Sequence, residues 1–351
     1  MVSDIKAWLD AIREKALEPD LPIIDPHHHL WDYPESLPEE GVPPFARPVR
    51  HYLLDQFLGD LAGGHNIRRT VFVECNSMYR RVALPELHPV GETEFVQGIA
   101  AQSASGNYGP ARVAAGIIGF ADLTLGSAVR PVLEAHVAAS RNRFRGVRYI
   151  STWDGSQSVS SRAAAPELLA DAKFREGFNC LQRYNLSFDA WLYHTQLGDL
   201  VNLARAFPYI TIVLDHIGGP LGIGPYADKR EEVLQDWKNK VALLAGCPNV
   251  FIKLGGLGMP LMGFGWHERE TAPDSVELAQ AMTPYFSWCI EKLGTQRCMF
   301  ESNFPVDRCS YSYTILWNAF KRFAQSFSAG ERAALFYETA ARAYRLADVT
   351  D

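Results

Sequence analysis

Residues 21–31 read LPIIDPHHHLW. A short apolar run leads into Asp25, Pro26 and three consecutive histidines. In a strand, residues two apart share a face. His27 and His29 therefore point one way and His28 the other. Two imidazoles side by side at a strand end can ligate one metal or grip one substrate. Alone, they are more often a hydrogen-bonded pair in a loop, and the later histidines are what shift the reading. Working outward, further β-branched or apolar runs follow at 70–75, 112–121, 144–150, 186–191, 210–216, 250–254 and 298–304. Helix-compatible stretches follow most of them, as at 197–206, 229–244 and 276–293. Counting 21–29 as the first, this alternation predicts an α/β fold: a closed (β/α)₈ TIM barrel with extended βα loops. An open doubly wound sheet is the alternative, but no GxGxxG follows the first strand. The expected organisation is a single domain, 1–351, with its core at about 21–345.

Composition narrows the function classes. The 351 residues are 47% apolar and 21% charged, enough for a large core and too apolar for gross disorder. The net charge of −6 leaves no basic footprint for nucleic acid. No apolar run reaches the roughly 18 residues of a membrane span. The acidic N-terminal stretch does not read as a signal peptide. Six scattered cysteines without CxxC spacing suit a reduced, cytoplasmic protein. Three irregular stretches, 32–48, 79–92 and 255–273, each follow a strand and so belong at the catalytic face. The glycine-rich third reads either as a mobile lid or as an ordered surface loop.

Two more strand ends carry histidine. The fifth runs into Tyr193-His194, and the sixth reads ITIVLDHIGGP, ending on His216 before a glycine turn. Histidines at the ends of strands one, five and six converge on one barrel mouth.

The ordered set of DxHxH, a strand-five His, LDHxGGP and a strand-eight ESNFP resembles the amidohydrolase-related branch of the amidohydrolase superfamily. The resemblance spans about residues 21–345. That branch includes sugar-lactone hydrolases, a pyrone-dicarboxylate lactonase and a semialdehyde decarboxylase. It implies that His27, His29 and His194 stand where metal-dependent members bind a divalent metal, often zinc. It implies that His216 orients the attacking water or polarises the substrate. Metal-independent lactonases in the branch leave a metal-free mechanism open.

Strand eight departs from the family. Where its pattern has an Asp serving as ligand and base, this chain has Asn303, and Glu301 stands where a Gly is usual. An amide cannot take a proton at neutral pH. Glu301 shares a strand face with Asn303, about 6.6 Å deeper. It reads either as a displaced base, with a pKa raised by burial, or as a buried carboxylate that positions a histidine. Asp307 is the other nearby candidate.

Arg148, near the end of strand four, and Lys253, near the end of strand seven, are the cations expected to hold a substrate carboxylate. A salt bridge within the protein is the alternative for Arg148. Trp31 and Tyr193 are the aromatics expected against the substrate. The expected activity is hydrolysis of a small, carboxylate-bearing lactone or related ester by activated water. A decarboxylase or hydratase acting on a ring-cleavage product is the second reading, and a non-catalytic ligand-binding barrel the third. The expected partner is a small-molecule substrate, without nucleic acid or membrane, and with room for a homo-oligomer.

Overall fold

The structure is a computed structural model describing residues 5–81 and 84–346. The expected domain span of 1–351 reaches past them at both ends, and residues 82–83 of the second expected loop also lie outside them. Eight parallel strands lie side by side in chain order. They are β1 Pro22–His28, β2 Asn66–Val73, β3 Arg112–Gly119, β4 Phe144–Ile150, β5 Ser187–Trp191, β6 Ile212–Leu214, β7 Val250–Leu254 and β8 Cys298–Phe300. A helix follows each: α1 Leu54–Leu61, α2 Val90–Ala104, α3 Arg130–Ala139, α4 Ala172–Arg183, α5 Leu197–Ala206, α6 Arg230–Leu244, α7 Ser275–Leu293 and α8 Tyr313–Phe323. The ring is nearly closed, β1 meeting the chain beyond β8 through the bridge His28–Phe304. Side chains stitch that seam: Asp25 accepts the Ser302 N–H at 3.0 Å and its hydroxyl at 2.6 Å. Backbone bonds add to it, Asn303 N–H to His27 O at 2.9 Å and His29 N–H to Phe304 O at 2.8 Å.

Strand alternation sorts the core into two parts. Ile23, Phe72, Ile117, Ile212, Leu214 and Phe300 face the helices. Ile24, Val71, Val73, Ile118, Val213 and Met299 fill the barrel, where Ala340, Ala343 and Tyr344 from the C-terminal end pack against them. The last helical turns among the described residues therefore plug the lower end of the barrel.

Four strands differ most from expectation. The second begins at Asn66 instead of residue 70, because its first turn-out positions are polar and half-exposed. The sixth, expected over 210–216, is only Ile212–Leu214. Beyond it His216, Ile217, Gly218 and Gly219 all take positive φ (53°, 51°, 73° and 50°), and four left-handed residues in a row end the strand. The eighth, expected to reach 304, stops at Phe300, and Asn303 has φ 55°. The third ends at Gly119 instead of 121. The glycine-rich stretch 255–273 is a packed loop. Its Trp266 and Met262 are buried, at roughly 1.5–3 kcal/mol of burial each. Phe264 stacks on Trp266 with ring centroids 4.4 Å apart, and the Arg230 guanidinium lies 4.1 Å from the Phe264 ring centre.

Candidate active site

At the mouth, β1 delivers its histidines as the alternation requires. His28 faces outward, stacked on Phe57 at 4.3 Å, with its Nε2 2.8 Å from the Thr70 hydroxyl. His27 and His29 face inward with their Nε2 atoms 3.3 Å apart. His29 Nδ1–H donates to the Val73 carbonyl at 2.7 Å, since a carbonyl can only accept. Its Nε2 then carries a lone pair. That lone pair meets the Asn303 side-chain oxygen at 3.3 Å, while Asn303 Nδ2 donates to Asp307 at 2.7 Å. Burial, reinforced by Arg148, holds the His29 pKa well below its ordinary value, so the ring is neutral. Burial, with Lys253 beside it, does the same to His27.

Glu301 reaches two histidines. One oxygen accepts both the backbone N–H (2.9 Å) and the Nδ1–H (2.7 Å) of His216. The other lies 2.8 Å from His27 Nδ1. Burial alone would raise the Glu301 pKa, as expected from sequence. His216 and His27 overcome that and bring it down to about 2. The rise expected from burial is therefore not seen, and the contacts are those of the second reading, a buried carboxylate bonded to a histidine. The geometry depends on two glycines. A Cβ on Gly255 would stand 2.4 Å from Glu301 Cγ, and one on Gly256 would stand 2.6 Å from the His216 ring. Trp191 closes the other side, edge-on to His216 at 4.7 Å.

Asp307 is fully buried and already receives Asn303, the Gly258 N–H at 3.0 Å and the Tyr311 hydroxyl at 2.6 Å. Burial pushes its pKa up to about 6 in spite of these bonds.

Both cations expected to meet a substrate carboxylate are engaged inside the protein. Arg148 Nε donates to Glu74 at 2.9 Å, and its Nη2 to the Glu74 backbone carbonyl. Lys253 Nζ is fully buried and has three N–H bonds to give. It donates to Asp189 at 2.7 Å and to Asp215 at 2.9 Å, while His27 Nδ1, turned toward Glu301, lies 3.2 Å away. Asp189 also accepts the Tyr344 hydroxyl at 2.6 Å. Trp31 is buried, roughly parallel to the His29 ring at 6.1 Å, with its N–H on the Val49 carbonyl. The Tyr193 hydroxyl donates to the Ser160 carbonyl at 2.5 Å.

The structure thus brings together His27, His29, His216, Glu301, Asn303, Asp307 and Lys253. It does not bring His194 into hydrogen-bond or ring contact with them. His194 packs edge-on to Tyr226 at 5.1 Å, and its Nδ1 accepts the Leu221 N–H. Burial lowers its pKa to about 4.

The donor set tests the fit of a cation. With the His27 proton on Nδ1, facing Glu301, three acceptors remain: His27 Nε2, His29 Nε2 and Asn303 Oδ1. His29 Nε2 stands 3.3 Å from each of the other two, with no hydrogen to share. Tetrahedral ligands of one zinc ion, about 2.0–2.1 Å from it, keep about that spacing. These residues fit a divalent ion. A second grouping, His27, Asp215 and His216, puts one ligand atom each within 4.8 Å of the others. There, the Lys253 ammonium already supplies Asp215 with a positive charge.

Asp189, Asp215 and Glu74 were not singled out from sequence. Each is a carboxylate within or at the end of an apolar run, which is itself a signal. Tyr344 gave none, because its approach depends on how the C-terminal helix docks.

The amidohydrolase family profile matches residues 24–346. An uncharacterized protein, y4mH, of Sinorhizobium fredii is 33% identical over 93% of this chain and 99% of its own length. An L-fucono-1,5-lactonase of Burkholderia multivorans is 28% identical over 93% of this chain and 97% of its own. The crystal structure of an amidohydrolase from Burkholderia multivorans with bound zinc superposes with a TM-score of 0.70. It is 25% identical, covering 92% of this chain and 99% of that one.

Proposed function

We propose, from the premise that this chain belongs to the amidohydrolase family, that it is a lactone hydrolase whose substrate is a small, neutral, hydroxyl-bearing lactone. The observation that carries the chemistry is the Glu301–His216 pair. Glu301 accepts from both His216 N and Nδ1, which turns Nε2 to the cavity as the atom for proton transfer. His216 takes a proton from the attacking water as its oxygen bonds the lactone carbonyl carbon. The ionised Glu301 stabilises the resulting imidazolium. The ring C–O bond then breaks, His216 returns the proton to the leaving oxygen, and a hydroxy acid is released. His27, His29 and Asn303 would hold the metal, and a bound divalent ion there supplies Lewis-acid polarisation. Zinc is the ion we expect, since imidazole ligands suit it. The free cysteines suit a reducing, cytoplasmic setting.

Substrate charge follows from the paired cations. With Arg148 held by Glu74 and Lys253 by Asp189 and Asp215, neither is available for a carboxylate. Glu74 Oε2 and Asp215 Oδ2 are buried acceptors that receive no hydrogen bond, Asp215 Oδ2 having only the Arg148 guanidinium at 4.0 Å, and such acceptors suit hydroxyl donors better than an anion. The naming of a similar protein as a sugar-derived lactonase supports this reading. The test is a panel of neutral polyhydroxylated lactones with carboxylated counterparts, ring opening followed by acid release. Neutral lactones should have the higher kcat/KM, and His216→Gln should lower kcat by about 10²–10⁴-fold. Failure of every lactone, or a fully active His216→Gln variant, would overturn the proposal.

A further inference from the structure

His194 is engaged at both its backbone and its ring. Its N–H donates to the Gly219 carbonyl at 3.1 Å, and its Nδ1 accepts the Leu221 N–H at 3.3 Å. In a neutral imidazole whose Nδ1 accepts, the proton sits on Nε2. A protonated nitrogen has no lone pair to offer a metal.

What His194 grips is the strained turn. His216 to Gly219 are all left-handed, and two of the four are not glycine. Left-handed backbone costs a side-chain-bearing residue free energy, most of all a β-branched one such as Ile217. Three groups outside the turn hold it. Glu301 takes the His216 N–H at the entry. Trp237 Nε1–H donates to the Ile217 carbonyl at 2.6 Å in the middle. His194 holds Gly219 O and Leu221 N at the exit. Releasing the exit would let the turn relax and carry His216 away from Glu301.

We infer that His194 is a positioning residue, not a metal ligand: it clamps the exit of the left-handed turn and so aims His216. The inference rests on the reading of His216 as the proton-transfer group.

Three variants separate the two roles. His194→Asn places a carbonyl oxygen where Nδ1 stands. His194→Gln places its amide nearer Nε2. His194→Phe keeps the ring shape and neither acceptor. The Asn variant should keep a kcat close to wild type. The Gln and Phe variants should lose roughly tenfold in kcat, the effect of one lost buried hydrogen bond, with KM little changed. Metal content should match wild type in all three. Nitrogen NMR of the wild-type ring should put the proton on Nε2. An active Gln with an inactive Asn variant, three active variants, loss of metal, or a proton on Nδ1 would each overturn the inference. Tautomer and metal content are read without substrate. A wild-type protein that opens no lactone would sink the lactonase reading alone.

Discussion

Glu301 is fully buried between two imidazoles, which keep it ionised at neutral pH. Glu301→Gln should retain an acceptor for the His216 backbone N–H but remove the charge that stabilises an imidazolium. Steady-state kinetics should show kcat down by about 10²–10⁴-fold with KM nearly unchanged. Asn303→Asp would set a second carboxylate beside Asp307, whose Oδ1 is 2.7 Å from Asn303 Nδ2. The two should compete for one proton and move the pH–rate profile upward, while metal affinity rises. His28 shows the acid limit of stability. Burial lowers its pKa to about 3, against 6.5 in the unfolded chain. The unfolded state takes the proton first, so this contribution is whole above pH 6.5 and is lost as pH falls toward 3. In urea titrations, wild type should lose about 1.4 kcal/mol per pH unit across that window relative to His28→Phe. The positions of His27, His28, His29 and His216 were legible in sequence because strand alternation and strand ends are local signals. The partners of Arg148 and Lys253 were not, because Glu74, Asp189 and Asp215 come from other strands.

At the scale of elements, the barrel strands were legible wherever both ends were apolar, as in Phe144–Ile150 and Val250–Leu254. The segment after β6 was not. LDHIGG reads as a strand running into a glycine turn, yet the left-handed backbone begins at His216, two residues before the first glycine. Contacts from the segments just beyond β5 and β8 and from α6 impose it, and no local propensity announces them. The same contacts make the turn intolerant of its neighbours. Gly256 has φ 74°, and a Cβ there would meet His216 Cβ, Cγ and Nδ1 at 2.6 Å. Gly256→Ala should cost about 1–2 kcal/mol from the backbone alone, with the ring clash in addition. Chemical denaturation should read that loss. Activity should fall further than stability predicts at a temperature where the variant is folded, because the displaced ring is His216.

Across the whole molecule, the site depends on the plug at the opposite end of the barrel. Tyr344 sends its hydroxyl up to Asp189, which shares Lys253 with Asp215. Tyr344→Phe leaves that buried carboxylate one donor short. Unfolding free energy should drop by about 1–3 kcal/mol, measured in urea. The seam between β1 and β8 matters in another way. His29 and Asn303 are 274 residues apart in the chain and 3.3 Å apart in space. On the ribosome, at about 5–20 residues per second, roughly 14–55 s separate the synthesis of the two. Throughout that interval β1 has a free hydrogen-bonding edge and apolar surface awaiting their partners, the kind of edge that pairs with other chains. The His29–Asn303 contact thus cannot form until nearly all of the barrel has been synthesised. A nascent chain stalled short of Asn303 carries His27 and His29 on an open strand, which makes translation itself the period of greatest exposure to aggregation and chaperone capture.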